Sequence, residues 1–385
     1  MPREAVGREG TKVVIGAGFA KIGLWQGSRA DRCGGVGRPA PVPPPRRAAF
    51  TALLSGRFPD PVAIRLPRGA TASFPLALSE LGERRARAGI VKDAGDDPDV
   101  THGALVVADI AWSVPGSGIG FAAGEGVGTV TRAGLPVAVG EPAINPAPRA
   151  IISRALHEAA EENGALPPDV LVTIAIPGGK RLAGKTMNAR LGIEGGLSIL
   201  GTTGIVVPYS CSSWIHSIRR GIDVACAAGI DHIAASTGAA SEQAVQCLYD
   251  LPDHALIDMG DFVGGTLKYL RGHPVARLTI AGGFAKLAKL AGGHLDLHSA
   301  RSRVDASALG AMLAALGADD KAVDMARAAA GAAEILALAG SRERALARLV
   351  AARAREVALA ALSGETAVEV AIVDREGEFL ARVGG

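Results

Sequence analysis

Short apolar segments alternate with helical patterns through the second half of the chain, and this alternation limits the available folds more than any other feature. The strand-like segments are residues 232–237, 254–259 and 276–282. The helical patterns before, between and after them are residues 212–229, 241–251, 261–272 and 283–293. Strands that alternate with helices in this way predict a parallel sheet joined by crossover helices.

The carboxyl ends of these strands carry small and polar residues. They are Ser236, Thr237 and Gly238, then Asp258, then Gly282 and Gly283. Because ligands of open parallel sheets bind beyond the carboxyl ends of the strands, we expect a ligand site at this edge. The alternative is that each group forms an ordinary turn between a strand and a helix.

Beyond this alternating stretch the C-terminal part is simpler. Residues 305–362 are rich in Ala and Leu and predict two or three packing helices. Residues 368–377 predict a closing strand and turn. We therefore expect a parallel-sheet α/β domain over residues 205–385.

The first half has a different pattern. Residues 61–67 and 71–78 predict a strand pair, and residues 88–112 predict two strands around an acidic loop. A helix is expected at about 149–162, followed by a strand from residue 171. The predicted fold class is α/β, with a mixed α+β domain at residues 48–204 preceding the parallel-sheet domain.

Four aspartates lie close together in the acidic loop: Asp93, Asp96, Asp97 and Asp99. Their carboxylates could serve as a base or bind a cation or a ligand hydroxyl. They could equally form an Asx-rich turn, since aspartate caps turns and tolerates left-handed backbone. A calcium-binding EF-hand is excluded because no glutamate closes a twelve-residue loop.

Residues 192–210 combine four glycines with Thr202, Thr203 and Gly204. Glycine allows close approach of a ligand to the backbone, and small hydroxyls supply hydrogen bonds without bulk. The stretch favours a loop around a polar small molecule, with a ligand-free crossover between domains as the alternative.

The overall composition excludes several classes of protein. A net charge of +3, with acids and bases interspersed, does not indicate a nucleic-acid partner. No apolar run reaches transmembrane length and no signal-peptide pattern is present, so a cytoplasmic protein without membrane attachment is expected. The four cysteines form no CxxC pair, which argues against a zinc site.

The first 47 residues differ from the remainder. Residues 25–47 are dense in Arg, Gly and Pro, and the prolines from Pro39 to Pro45 predict extended or disordered chain rather than helix. Residues 13–23 contain Gly16 and Gly18, but Lys21 occupies the third glycine position of a dinucleotide fingerprint and no helix follows. Dinucleotide binding is therefore not indicated there.

Four blocks of sequence together resemble the cobalt-precorrin-5B C1-methyltransferases of cobalamin biosynthesis, the CbiD family. They are residues 91–104, 124–149, 185–208 and 282–299, with the resemblance running from about residue 48 to the C-terminus. The resemblance implies a two-domain enzyme that transfers a methyl group from S-adenosylmethionine to ring carbon 1 of a cobalt-containing corrinoid precursor.

The N-terminal segment departs from the resemblance. The family begins with an Arg-rich, Thr-Thr-Gly, Ala-rich segment that leads into the first helix, whereas residues 25–47 hold nothing similar. An Arg/Gly/Pro-rich replacement is typical of GC-rich coding DNA read out of frame. We therefore expect residues 1–47 to be divergent, and either disordered or mistranslated through a frameshift or a mis-assigned start.

Given this resemblance, roles can be assigned to the candidate residues. Asp93, Asp96 and His102 are candidates to accept a proton or orient a group on the macrocycle. The hydroxyls and carboxylate of Ser236, Thr237 and Asp258, together with Gly238 and the Thr202–Gly204 loop, are candidates for the ribose of the donor. Gly282 and Gly283, at a helix N-terminus, suit its carboxylate.

Basic residues are candidates for the carboxylates of the corrinoid. They are Lys180, Arg181, Lys185 and Arg190, with Lys286 and Lys289 as weaker candidates and His294 as a further substrate contact. His294 and His298 are four residues apart, but their surroundings predict a strand or loop, so no protein-bound metal is expected and cobalt would arrive in the substrate. A homodimer is compatible with the sequence. The alternatives are a catalytically impaired corrinoid-binding protein and a dinucleotide-dependent oxidoreductase.

Overall fold

The computed structural model describes residues 38–39, 44–65, 71–94, 99–200, 205–206 and 211–384. Contacts within the chain divide it into two compact units, residues 1–210 and 211–385, called here the N-terminal and the C-terminal unit. The sequence predicted a boundary six residues earlier, after residue 204. Each unit has its own hydrophobic core.

The N-terminal unit combines strands with three helices in its described part. The strands are β1 (Arg38–Pro39), β2 (Val62–Arg65), β3 (Thr71–Phe74), β4 (Leu78–Leu81), β5 (Arg85–Val91), β6 (Leu105–Trp112), β7 (Ile119–Ala123), β8 (Thr129–Val130), β9 (Val170–Ala175), β10 (Ile193–Glu194) and β11 (Ile205–Val206). The helices are α1 (Pro44–Ser55), α2 (Pro146–Glu162) and α3 (Gly179–Ala183).

Five of these strands form a mixed sheet in the order β4-β5-β6-β9-β7. Every neighbouring pair is antiparallel except β7 and β9, which run parallel. Helices α1 and α2 contribute buried apolar residues such as Phe50, Ile152 and Leu156 to the core of this unit. The strand pair β2–β3 and the pair β5–β6 around the acidic loop confirm the sequence interpretation of both regions.

Helix α1 begins at Pro44, so the expectation that the prolines exclude a helix before Ala48 is wrong at its C-terminal end. Proline is tolerated in the first helical turn, because the N–H groups of that turn have no intrahelical partner. The same reason explains why α2 begins at Pro146, three residues before the predicted start. Residues 1–37 and 40–43 lie outside the described residues.

The C-terminal unit has the alternating organisation that its sequence predicted. Its strands are β12 (His232–Ser236), β13 (Leu256–Asp258), β14 (Arg277–Gly283), β15 (Ala367–Val373) and β16 (Phe379–Val383). Its helices are α4 (Cys211–Ala227), α5 (Ala239–Tyr249), α6 (Val263–Leu270), α7 (Phe284–Ala291), α8 (Ala306–Ala315), α9 (Asp320–Ala328), α10 (Ala332–Leu338) and α11 (Glu343–Leu362).

The sheet of this unit has the order β13-β12-β14-β15-β16. Strands β12 to β15 are parallel and β16 pairs antiparallel with β15, which confirms a mainly parallel α/β sheet. From β12 the chain moves first to one side, to β13, and then to the other side, to β14. The strand order therefore reverses between β12 and β14, and ligands of open α/β sheets bind at such a switch point.

Two features of this unit differ from the expectation. Residues 305–362, all of them described, form the four helices α8 to α11 rather than two or three. The sequence also did not predict β16, which follows the predicted closing strand as an antiparallel edge. Among the helices that the structure describes, none combines the length and apolar character needed to cross a membrane.

Candidate functional site

The carboxyl edge of the C-terminal sheet brings together the donor-binding candidates of three strands. Ser236, the last residue of β12, is in register with Ala281 of β14 and with Asp258 of β13. The backbone N–H of Thr237 donates to the Ala281 carbonyl at 2.9 Å. Residues far apart in the sequence are therefore neighbours at the switch point of the sheet.

The two glycines at the end of β14 have different surroundings. A β-carbon built on Gly282 would lie 2.5 Å from the Thr237 hydroxyl oxygen, so only glycine fits there without displacing its neighbour. A β-carbon on Gly283 would meet no atom within 4 Å, and the same holds for Gly238. These two open positions are the N-caps of α7 and α5, where backbone N–H groups favour an anion.

The Ser236 side chain is 1% exposed, and its hydroxyl oxygen has no hydrogen-bond partner among the described residues. A buried hydroxyl without a partner costs about 1–3 kcal/mol, so native structures rarely leave one unsatisfied. Its position at the switch point, between two open helix N-caps, makes it a candidate contact for a polar ligand group.

Trp214, which the sequence interpretation did not select, supports this edge. Its indole N–H donates to the Asp258 carbonyl at 3.0 Å. Gly260 has a φ of +53°, and a β-carbon on it would lie 3.2 Å from the Trp214 ring. The tryptophan in the first turn of α4 thus fixes the turn that follows β13. Its only sequence signal was a lone aromatic residue at the start of a helix.

The cations near α7 are engaged within the unit. Lys286 forms an ion pair with Asp261, and the Lys289 ammonium donates to the Leu297 carbonyl at 2.8 Å. Burial lowers the pKa of Lys289, and the nearby Lys286 lowers it further. Both lysines therefore have structural partners within the unit.

The two histidines that follow α7 lie in a loop, as their surroundings predicted. His294 is exposed, and the His298 Nδ1 accepts a hydrogen bond from the Ala300 N–H at 3.3 Å. Within the part of the chain that the structure describes, no three His, Cys, Asp or Glu side chains form a group that could hold a metal ion.

In the N-terminal unit, sheet register brings the acidic loop and the basic segment to one edge. Val91 at the end of β5 pairs with Leu105, where β6 begins, and Val107 of β6 pairs with Ala175 at the end of β9. The loop with Asp93 and His102 and the segment with Lys180, Lys185 and Arg190 therefore leave the sheet at the same edge. Lys180 and Lys185 are exposed and Arg190 is half-buried.

His102 lies over its own loop. Its Nδ1 accepts a hydrogen bond from the Ala94 N–H at 2.9 Å and is 3.8 Å from the Asp93 carboxylate. Because Nδ1 is an acceptor, the proton of the neutral imidazole is on Nε2. The side chain is 59% exposed, so this N–H can reach a ligand. Asp96 lies outside the described residues.

Asp99, in contrast to Asp93, is a buried structural residue. It forms an ion pair with Lys92, and both side chains are less than a tenth exposed. Its other oxygen accepts from the Thr101 N–H at 2.8 Å and the Thr101 hydroxyl at 2.6 Å. For this residue the turn interpretation is confirmed, because its carboxylate is used within the loop.

Three glycines of the N-terminal unit allow backbone segments to cross in direct contact. A β-carbon on Gly126 would lie 2.0 Å from the Ile176 carbonyl oxygen, and one on Gly179 or Gly196 would lie 2.4 Å or less from Gly126 atoms. The buried Asn188 amide donates to the Gly196 carbonyl at 3.0 Å. This crossing fixes the start of α3 and hence the position of Lys180.

Thr202, Thr203 and Gly204 lie outside the described residues.

Comparison with known proteins adds independent information. The family model described as CbiD matches residues 30–208, and the model of the CbiD C-terminal domain matches residues 296–384. The first match begins inside the segment that the sequence interpretation treated as divergent.

Two curated relatives are named cobalt-precorrin-5B C(1)-methyltransferase. The protein from Brucella anthropi is 58% identical over 295 residues, which cover 77% of this chain and 80% of the relative. The protein from Halorhodospira halophila is 62% identical over 273 residues, which cover 71% of this chain and 73% of the relative.

A solved structure of a cobalamin biosynthesis protein (cbiD) from Archaeoglobus fulgidus is 27% identical, with a TM-score of 0.35. It covers 66% of this chain and 79% of its own. The two family-model matches and the identity to the curated relatives lead to one conclusion: the chain belongs to the CbiD family.

Proposed function

We propose that this protein is a methyltransferase that methylates carbon 1 of cobalt-precorrin-5B, with S-adenosylmethionine as the methyl donor. The observation that carries the proposal is the identity of about three fifths over most of the chain to relatives of that name. The open switch point at Ser236 and Gly283 supports a small-molecule site in the C-terminal unit. Cytoplasmic location and homodimerisation stay predictions from the sequence.

The residues at the switch point fit the polar groups of the donor. S-adenosylmethionine supplies an electrophilic methyl group on a sulfonium. The backbone N–H groups after Gly238 and Gly283 would bind its carboxylate, since helix N-termini favour anions. The Ser236 hydroxyl, which has no partner among the described residues, would bind a ribose hydroxyl of the donor together with the neighbouring Thr237 and Asp258. Acids and hydroxyls at strand ends fill this role in other α/β proteins.

The edge of the N-terminal unit fits an anionic macrocycle. Lys180 lies in α3 and Lys185 follows this helix, and both side chains are exposed. The start of α3 is fixed by the glycine crossing. With Arg190, the two lysines would bind peripheral carboxylates of the corrinoid. His294 stays a candidate substrate contact from the sequence alone. The Thr202–Gly204 loop stays a candidate for the donor from the sequence alone.

We infer different roles for His102 and Asp93. His102 presents an Nε2–H when neutral, so we assign it to orienting the substrate as a hydrogen-bond donor. Asp93 is about one third exposed and is our candidate for accepting the proton lost from the macrocycle. Methyl transfer itself depends mainly on positioning, because the reacting atoms must lie about 3–3.5 Å apart in line.

The test is to incubate the protein with methyl-labelled S-adenosylmethionine and cobalt-precorrin-5B and to locate the label in the product. We expect one labelled methyl group on carbon 1. We also expect Ser236→Ala to weaken affinity for S-adenosylhomocysteine by roughly tenfold, the loss of about one hydrogen bond. Ser217→Ala is the matched control, because that hydroxyl donates to the Ser213 carbonyl within α4.

Two results would contradict the proposal. The absence of label from the corrinoid would exclude methyl transfer, and retained corrinoid binding would then favour a non-catalytic binding protein. Equal affinity of Ser236→Ala and the wild type for S-adenosylhomocysteine would remove the switch point as the donor site while leaving the enzymatic activity intact.

A further inference from the structure

An open, shallow cleft lies at the edge of the C-terminal sheet opposite the switch point. It has a volume of about 650 Å³ and is lined by Tyr249, Arg277, Glu369, Arg382 and Gly384. Arg277 is the first residue of β14 and Glu369 the third of β15, so the cleft is at the amino ends of these parallel strands. Ser236 and Gly283 are at their carboxyl ends, so the cleft is separate from the proposed donor site.

A buried carboxylate lies at the base of this cleft. Glu369 is 1% exposed and accepts hydrogen bonds from the Tyr249 hydroxyl at 2.6 Å and the Thr279 hydroxyl at 2.9 Å. Arg382 donates to it from Nε at 3.1 Å and from Nη2 at 3.0 Å. Both carboxylate oxygens are therefore occupied by donors.

Two arginines are held in fixed positions around one tyrosine ring. The guanidinium carbons of Arg277 and Arg382 lie 4.5 Å and 5.5 Å from the centre of the Tyr249 ring. The Nη2 of each also donates to the Tyr249 hydroxyl at 2.7 Å. A guanidinium fixed by a ring and a hydroxyl loses little further freedom when it binds an anion.

The cluster has more positive than negative charge. Two guanidinium groups face one carboxylate, which leaves one positive charge in excess. His232 packs edge-on against Tyr249, and burial together with Arg277 lowers its pKa, so it adds no charge at neutral pH. Among the described residues the Arg277 Nε is buried without a hydrogen-bond partner. Excess positive charge on two arginine side chains that are each about one third exposed favours an anion-binding site.

We propose that this cleft binds an oxyanion of the phosphate or carboxylate type between Arg277 and Arg382. The guanidinium edges that do not bond Glu369 or Tyr249 donate to the anion. Its negative charge balances the excess positive charge that Glu369 leaves. The site is independent of methyl transfer, because it is at the other edge of the sheet.

Equilibrium dialysis with radiolabelled inorganic phosphate, and separately with radiolabelled succinate, at constant ionic strength tests the proposal. We expect saturable binding of at least one probe, and the stronger binder identifies the natural ligand as a phosphate or a carboxylate. Arg382→Gln should weaken this binding at least roughly tenfold. Glu369→Gln should tighten it several-fold, because the variant removes the compensating negative charge.

The control is Arg353→Gln, which removes an exposed cation of α11 that pairs with Glu356. It should leave binding unchanged. If Arg382→Gln does not fold, as judged by circular dichroism, the Glu369→Gln result still decides, since a purely structural cluster predicts no gain in affinity. The proposal is overturned if neither probe binds saturably to the wild type, if binding survives in folded Arg382→Gln, or if Glu369→Gln binds less tightly.

Discussion

Gly282 touches Thr237 so closely that a β-carbon on the glycine would lie 2.5 Å from the threonine hydroxyl oxygen and 3.0 Å from its methyl carbon. The contact arises because β12 and β14 are adjacent and the Thr237 N–H donates to the Ala281 carbonyl. The backbone at the end of one strand therefore packs against the side chain at the end of the next. Any side chain at position 282 would move a residue of the proposed donor site.

We expect Gly282→Ala to displace Thr237 and to weaken affinity for S-adenosylhomocysteine by about tenfold or more. Overpacking of this kind also lowers the free energy of unfolding by about 1–3 kcal/mol. Calorimetric titration and urea unfolding measure the two effects. Gly364→Ala is the control, because a β-carbon there meets no atom within 4 Å and the residue precedes the amino end of β15. Undiminished affinity in a folded Gly282→Ala variant would contradict our assignment of this edge.

A second prediction concerns the buried pair of Lys92 and Asp99. Removal of one partner leaves an uncompensated buried charge, so Lys92→Met or Asp99→Leu should each lower the free energy of unfolding by about 3–5 kcal/mol. The double variant should recover part of this loss, because it removes both charges. Urea unfolding of the wild type, the two single variants and the double variant gives the coupling free energy between Lys92 and Asp99.

The exposed pair Arg353–Glu356 provides the comparison for these measurements. Breaking an exposed pair of this spacing should cost only about 0.3–0.5 kcal/mol. If Asp99→Leu cost no more than this, the carboxylate would not be the structural partner of Lys92.

The alternating part of the C-terminal unit could be predicted because its pattern is local. Buried strands such as β12 and β14 are short, mainly apolar runs closed by small residues, and the helices between them are amphipathic. The order of the strands could not be predicted, since it depends on the side to which each crossover turns. The adjacency of Ser236, Asp258 and Ala281 was therefore not contained in the pattern.

The missed elements have local causes. Residues 305–362 are so rich in Ala that apolar residues are spread evenly along them and the helical period is weak. Gly317 and Gly331 lie next to helix ends, but no proline accompanies them to mark these ends in the sequence. The edge strand β16 is five residues long and includes Arg382, whose partner Glu369 is buried in the neighbouring strand. The pairing of β16 with β15 is therefore known only from the tertiary structure.

The acidic loop shows why the sequence alone cannot assign a role to each candidate site residue. Asp93 and Asp99 are the same residue type in one loop, yet Asp99 is buried against Lys92 whereas Asp93 is about one third exposed. Sequence spacing cannot separate them, because burial depends on which aspartate packs against Lys92 after the end of β5. Asp93 was already a candidate from the sequence, but the structural role that separates Asp99 from it required the tertiary structure.

A third prediction separates two roles for His102. If it orients the substrate through Nε2–H, His102→Gln should keep most activity, because the glutamine amide is also a donor. His102→Phe should raise KM for the corrinoid by roughly tenfold with little change in kcat, as expected for lost uniform binding. Steady-state kinetics at saturating donor measure this split.

A proton acceptor at His102 would give a different result. Both variants would then lose about 10²–10⁴ in kcat, the usual contribution of general base catalysis. His157→Phe is the control, because this histidine lies on the exposed face of α2 and bonds the Ser153 carbonyl.

The last prediction concerns Arg46 in α1, which is fully buried and whose three guanidinium nitrogens have no partner among the described residues. Burial lowers its pKa to about 9, because the charged guanidinium is less stable in the protein interior than in water. The buried charge therefore lowers the free energy of unfolding. Arg46→Met should therefore raise the free energy of unfolding at neutral pH by about 1–4 kcal/mol. Arg47→Met should lower it, because Arg47 pairs with Glu158 and Glu162 of α2.

The effect of Arg46 should depend on pH in one direction. Above about pH 9 the folded protein loses the Arg46 proton while the unfolded chain keeps it, so the unfolded state binds more protons and stability rises with pH. The advantage of Arg46→Met over the wild type should thus be constant below about pH 9 and shrink above it. Urea unfolding of both proteins at neutral and alkaline pH measures this difference, and a wild type more stable than Arg46→Met at neutral pH would mean that an unseen anion compensates the buried guanidinium.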